Sequence, residues 1–268
     1  MLINIVILFI KDLLPIFILL CLISTSIAPN IVSTHRLIIT LTMSFIGIFT
    51  TFNFLPNMSE LFDGVGIEII QTTELLTTYF CLLYGSSYLV TQKKLSTLQS
   101  NLIIIAIVLF NVINASQFIV FLDSYLANSE SIRNIIVGLA IGFGICLSFS
   151  ALLYFSINWL VKKESYYFIY FIWALFLSGY VSQIINLLQQ VDIIQSSGAL
   201  WDSSNIVKDS SEYGHLLHTL FGYEASPSHE LILFYVTSLL ICLVYFIIIS
   251  SLKRQRTIDG TEEKSHVL

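Results

Sequence analysis

The sequence predicts an all-α, polytopic membrane protein with seven transmembrane helices, on three observations. Hydrophobic residues make up 56% of the 268 against 11% charged, at a mean hydropathy of +0.86, more apolar surface than a soluble domain can keep from water. The apolar residues gather at 3 to 28, 37 to 55, 66 to 91, 101 to 122, 134 to 161, 165 to 187 and 231 to 252. Each run is near the ~20 residues a helix needs to cross hydrocarbon. Finally, basic residues alternate between connections. Arg36, then Lys93 and Lys94, then Lys162 and Lys163 mark the first, third and fifth, and Lys253, Arg254, Arg256 and Lys264 mark the tail. The intervening connections carry only Arg133 and Lys208 among many acids.

By the positive-inside rule this pattern sets the amino end outside and the carboxyl end in the cytoplasm of a plasma (bacterial inner) membrane, which requires an odd number of spans. One membrane domain is expected over 1–252, including an outer connection at 188–229, followed by a cytoplasmic tail at 253–268. Membrane lipid is the surrounding partner. No basic patch suits nucleic acid. Cys21, Cys81, Cys146 and Cys242 all lie inside apolar runs without a CxxC spacing and read as packing residues.

The first run carries Lys11, Asp12 and Pro15 near its middle. Lys11 with the following apolar stretch and Ser26-Ile27-Ala28 resembles a signal peptide. Cleavage would leave six spans and put the remaining basic clusters on the wrong side, so the run is kept as a span. Neighbours on a helix point about 100° apart, so Lys11 and Asp12 each need a partner on another span; the bland alternative is that both snorkel to an interface. Pro15 frees the carbonyl of Lys11.

The third run is preceded and entered by acids, Glu60, Asp63, Glu68 and Glu74. On one continuous helix they would fall within about 140° of each other, an acidic stripe beside an apolar one. A carboxylate at membrane depth costs roughly 2.5–3.5 kcal/mol on insertion scales, so such a stripe points to a cation path. Helix capping from Asn57 to Glu60 is the alternative for the first two acids. The fourth run carries Asn114, Ser116 and Gln117. Asn114 and Gln117 share a face, as ligands or as interhelical hydrogen-bond glue. The fifth and sixth runs are apolar spans. In the sixth connection, Leu216, Leu217, Leu220 and Phe221 predict an amphipathic outer helix. Glu212, His215 and His218 recur on it at every third residue, a loose metal-capture face with Glu224 or His229, or ordinary interfacial polar groups. His229-Glu230 begins an HExxH pattern, but Leu233 stands where the second histidine belongs. With no nucleophile elbow or phosphate loop either, no enzyme activity is expected.

The segment Phe176 to Tyr235 resembles the carboxyl-terminal third of the oxidase-dependent, high-affinity iron permeases. The resemblance rests on Asn186 to Gln190, on Leu200-Trp201-Asp202-Ser203, and on Leu217-His218-Thr219-Leu220 leading to Gly222-Tyr223 and Pro227. Glu60-Leu61-Phe62-Asp63-Gly64 is similar to the family's Glu-x-x-Glu-Gly motif. The resemblance implies seven spans with the amino end outside, iron transport, and an oxidising partner on the outer face, either a multicopper oxidase or a periplasmic copper or haem protein. It implies no cofactor in the chain itself. Where the family carries Arg-Glu-x-x-Glu in spans one and four, this chain has Lys11, Asp12 and Pro15, and Ile113, Asn114 and Gln117. Neutral amides replace carboxylates in the second motif, which weakens binding of a hard ferric ion. The expected metal-contacting set is Asp12, Glu60, Asp63, Glu68, Asn114 and Gln117, with Glu74 continuing the path. Spans one to three and four to six, beginning on opposite sides, fit two inverted three-helix halves with Asp12 facing Asn114. The alternative function is a non-conducting scaffold or regulatory membrane subunit that kept the fold.

Overall fold

In hydrocarbon each backbone amide must be bonded within its own segment, so long apolar runs fold as helices. The structure, a computed structural model of the chain, describes residues 2–26, 34–91, 96–127, 132–163 and 167–265. These residues form α1 (Leu2–Ser26), α2 (Thr34–Ser59), α3 (Gly66–Thr91), α4 (Thr97–Ala127), α5 (Ile132–Lys163), α6 (Tyr167–Gln190), the short α7 (Glu212–Phe221) and α8 (His229–Ser265). Each of the seven expected runs falls on one long helix. Helix α8 continues through the boundary expected at residue 252. Of the charge pattern, Lys93, Lys94 and Glu130 lie outside the described residues, as do Ile27 and Ala28 and the side chains of Lys162, Lys163, Glu212 and the basic tail.

Six of the helices, α1, α2, α4, α5, α6 and α8, are long and apolar enough to cross a membrane, the build of a multi-pass helical membrane protein. Helix α3 is as long as α2 but carries Glu68, Gln71, Thr72, Thr73, Glu74, Thr77 and Thr78 in its first half. Its surroundings suit that composition, because it packs between α4 and α6, with α8 also against it. In the apolar window of α6, 67% of residues are buried, against 6% in α2 and 17% in α8, so α6 is central and the other two are peripheral. The core includes Leu14, Ile18 and Leu22 of α1, Leu75 and Leu82 of α3, Phe110 of α4 and Trp173 and Leu177 of α6. Phe45 and Phe49 of α2, Leu152 and Phe155 of α5 and Ile247 of α8 stand exposed, faces that lipid rather than water solvates.

The pairing repeats itself across the bundle. Helix α1 packs along α5 as α2 packs along α4, α1 meets α4, and α3 meets α6. Both long contacts depend on a glycine. A methyl on Gly47 of α2 would stand 2.5 Å from Val112 of α4, and one on Gly142 of α5 would stand 2.7 Å from Phe9 of α1. Missing side chains there bring the helix backbones close, the usual device where dispersion rather than water exclusion drives association. The extensive α3 to α4 contact has no counterpart of that size between α6 and α1.

The acidic stripe expected from Glu60 to Glu74 is not continuous. Helix α2 runs through Ser59, and a 3-10 turn, Leu61–Gly64, follows with Phe62 and Asp63 at φ of 52° and 60°. Glu60 makes no side-chain cap there, against the capping alternative. The chain then re-enters so close to α2 that a methyl on Gly66 would lie 2.1 Å from the Met58 carbonyl oxygen. These left-handed residues and the tight glycine re-aim the chain, so Glu60 and Asp63 sit on an exposed turn and only Glu68 and Glu74 ride on α3.

Replacing Gly142 with alanine is expected to destabilise the α1–α5 contact by about 1–3 kcal/mol. Gly144→Ala is the control, since a methyl there meets nothing within 4 Å. Thermal unfolding in detergent reads the difference; equal midpoints would remove the Phe9 contact as a determinant of packing.

Candidate functional site: a polar cavity beneath the short helix

The four helices that carry polar residues at depth, α1, α3, α4 and α6, are brought together at one end of the bundle, where α2, α4 and α6 finish and α3 begins. They enclose, with the end of α2 and with α7, a cavity of about 660 Å³. Helical spacing explains which side chains reach it. Lys11, Asp12 and Pro15 come from α1, Glu68, Gln71 and Glu74 from α3, Asn114 and Gln117 from α4, and Gln183, Asn186 and Gln190 from α6. The members of each set on α3, α4 and α6 lie three or four residues apart, one stripe per helix.

Asp12 is the most enclosed of the acids. Only 2% of its surface is exposed, and its Oδ2 has no hydrogen-bond partner. Lys11 lines the same cavity, exposed, with Nζ 5.8 Å from the centre of the Phe121 ring. Asn114 Nδ2 donates to the Phe110 carbonyl one turn back at 2.8 Å, and Asn186 Nδ2 donates to Glu224 Oε1. Each amide thus spends a donor on the protein.

One turn further along α4, α6 and α3 the polar lining stops. Phe110, Tyr180 and Thr78 are buried there, with the Phe110 and Tyr180 ring centroids 5.1 Å apart in an edge contact and Phe176 against the same tyrosine. The Tyr180 hydroxyl and the Thr78 hydroxyl lack hydrogen-bond partners. Neither belongs to the lining, and the rings of Phe110, Phe176 and Tyr180 form an aromatic floor one helical turn beyond it.

Above the cavity lies the folded connection between α6 and α8. Ser211 caps α7 by accepting from the Gly214 amide, and Gly222 ends it in the left-handed region at φ of 68°. Gly179 and Gly222 meet so closely that a methyl on Gly222 would stand 2.8 Å from the Gly179 Cα, which holds the end of α7 directly on α6. Leu216 and Leu220 pack onto the core, as the amphipathic pattern requires. The Leu200 amide donates to the Pro227 carbonyl at 2.8 Å and the Ser203 amide to the Ala225 carbonyl at 2.8 Å. The Tyr223 hydroxyl donates to the Val207 carbonyl at 3.0 Å. The motif residues of this connection are therefore what folds it back over the bundle.

This cap adds Asp209, His215, His218 and Glu224 to the lining. His218 Nδ1 is 3.0 Å from the Tyr223 carbonyl. A carbonyl only accepts, so Nδ1 carries a proton in this bond. Burial, then the positive charge of Lys11 and of His218, pushes the His215 pKa down, against the opposing pull of Asp209. Burial pushes the Glu224 carboxyl up, opposed by the Asn186 hydrogen bond and by His218, with Asp209 adding to the rise.

Of the expected metal-contacting residues, Asp12, Glu68, Asn114 and Gln117 meet in this cavity, and Glu60 and Asp63 stay outside its lining. Glu74, expected to continue the path, is present. His215, His218 and Glu224 of the loose metal face line it too, while His229, at the exposed start of α8, does not. Among the described residues, no three His, Cys, Asp or Glu side chains are grouped to hold a metal ion. Sequence reasoning missed Gln71, Gln183, Asn186 and Gln190 as site residues. Their signal was available, since Gln183, Asn186 and Gln190 follow the same three-or-four spacing that singled out Asn114 and Gln117.

With its pKa raised in the folded chain, Glu224 binds more protons folded than unfolded, so its contribution to stability falls as pH rises above the ordinary glutamate value of 4.5. Glu224→Gln is expected to flatten that part of the stability profile. Thermal unfolding in detergent from acid to neutral pH checks this; an unaltered slope would remove Glu224 as its source.

Comparison with protein-family models, with curated proteins and with solved structures finds no match to this chain. The resemblance to the iron permeases therefore stands on its motif residues alone.

Proposed function

We propose that this protein is a permease that carries a metal cation across the membrane, iron being the cation that its motif resemblance implies. A single observation carries the reading: the buried, partnerless oxygen of Asp12 shares one polar cavity with Glu68 and Glu74 inside an otherwise apolar bundle. Intramembrane carboxylates are costly, and they persist where they serve an ion or proton path. In this reading α3 is the seventh span, packed against α4, α6 and α8. The amino end and α7 lie outside, and Glu60 and Asp63 gather cations at the cavity end. The repeated pairings of α1 with α5 and α2 with α4 support two inverted halves, which meet where Asp12 and Asn114 line the cavity. An oxidising partner would dock on the connection above, where Trp201, Ile206 and Tyr213 are exposed.

The non-conducting scaffold is the second reading, favoured by the absence of any grouped triad of acids or imidazoles among the described residues. Uptake of radiolabelled iron by proteoliposomes containing the full chain separates the two. The permease reading expects Asp12→Asn to lower uptake about tenfold, equivalent to ~1.4 kcal/mol, while Asp123→Asn, an exposed carboxylate outside the cavity, leaves it unchanged. Uptake no greater than in protein-free vesicles would leave the scaffold.

A further inference from the structure

Carboxamides are the commonest polar side chains lining the cavity, six against five acids. Gln71, Asn114, Gln117, Gln183, Asn186 and Gln190 outnumber the acids that α1 and α3 supply, and they come from three different helices. A bare divalent cation needs six or more oxygens converging at about 2.0–2.6 Å. Spread around 660 Å³, these side chains suit something wider. At about 30 Å³ per water, a cation with six waters takes up roughly 180 Å³, which the cavity holds with room to spare.

Two of the amides are oriented by the protein. Asn114 Nδ2 donates to the Phe110 carbonyl at 2.8 Å, and Asn186 Nδ2 donates to Glu224. Each spends one amino hydrogen in this way, and the carbonyl oxygen of each amide is an acceptor. Asp12 Oδ2, buried and partnerless, is a further acceptor. Water bound to a cation presents only hydrogens outward, and a lining whose six amide oxygens and five acids stand against the single ammonium of Lys11 matches a hydrated ion.

We infer that the cavity takes a hydrated divalent cation, held by hydrogen bonds from its coordinated waters to the amide oxygens and to Asp12, rather than a dehydrated ion ligated by side chains. The inference rests on the permease reading for the cation and goes beyond it in stating how the cation is held.

Cobalt(III) hexaammine keeps its six ammonia ligands and donates hydrogen bonds outward as a hexahydrated ion does. Two measurements use it on the full chain. In equilibrium dialysis with detergent-solubilised protein, hexaammine is expected to bind, and to bind about tenfold more weakly to Asp12→Asn, with Asp123→Asn unchanged. In proteoliposomes it is expected to block ferrous iron uptake. Absent binding, or binding that Asp12→Asn leaves unaltered, overturns the inference, as does full uptake under a roughly hundredfold excess of hexaammine. Dialysis decides without transport: Asp12-dependent binding together with no uptake of any metal would sink the permease reading and keep the hydrated-ion site.

Discussion

The carboxylate of Asp12 is the constraint on which the rest of the bundle depends. A buried carboxyl oxygen without a hydrogen bond, in the middle of an apolar helix, is costly unless the surrounding helices supply a polar cavity for it. That requirement fixes the neighbours of α1. Helices α3, α4 and α6 each present an amide or acidic stripe on the cavity side, and α3 carries its polar residues along its first half. The peripheral helices α2, α5 and α8 carry the aromatic and branched apolar surface, so lipid solvates the outside while the polar atoms collect within.

The cap follows from the same constraint. Where α2, α4 and α6 finish and α3 begins, the helix ends leave carbonyl acceptors and amide donors without intrahelical partners, and the folded connection lies over the cavity they surround. Its loops are bonded to each other through Leu200, Ser203 and Tyr223, and α7 is locked to α6 where Gly179 and Gly222 meet without side chains. The residues that carry the permease resemblance in this region are thus mainly structural. They shape the cap, and the cap brings His215, His218 and Glu224 over the cavity.

Much of this was legible in the sequence. The helices were readable because an apolar run of span length has few other stable forms. Asp12, Glu68, Asn114 and Gln117 were readable as a site because polar residues at helical spacing in such runs must find each other. Three things were not. Left-handed backbone at Phe62 and Asp63 breaks the acidic stripe, and only the glycines at 64 and 66 hinted at it. The amides of α6 were passed over because amides often serve as interhelical hydrogen-bond glue. The histidines of α7 gave a local pattern, but the folding of a long polar connection over the bundle is decided by contacts far apart in the chain.

The aromatic floor beneath the polar lining has a kinetic corollary. Phe110, Phe176 and Tyr180 meet there in edge contacts, and none of the three lines the cavity. If the permease reading holds, an ion would have to pass this layer of rings, so each turnover would need them to part and close again and the flux would saturate at the pace of helix rearrangement instead of diffusion, with the unbonded hydroxyls of Thr78 and Tyr180 as the first polar footholds beyond it.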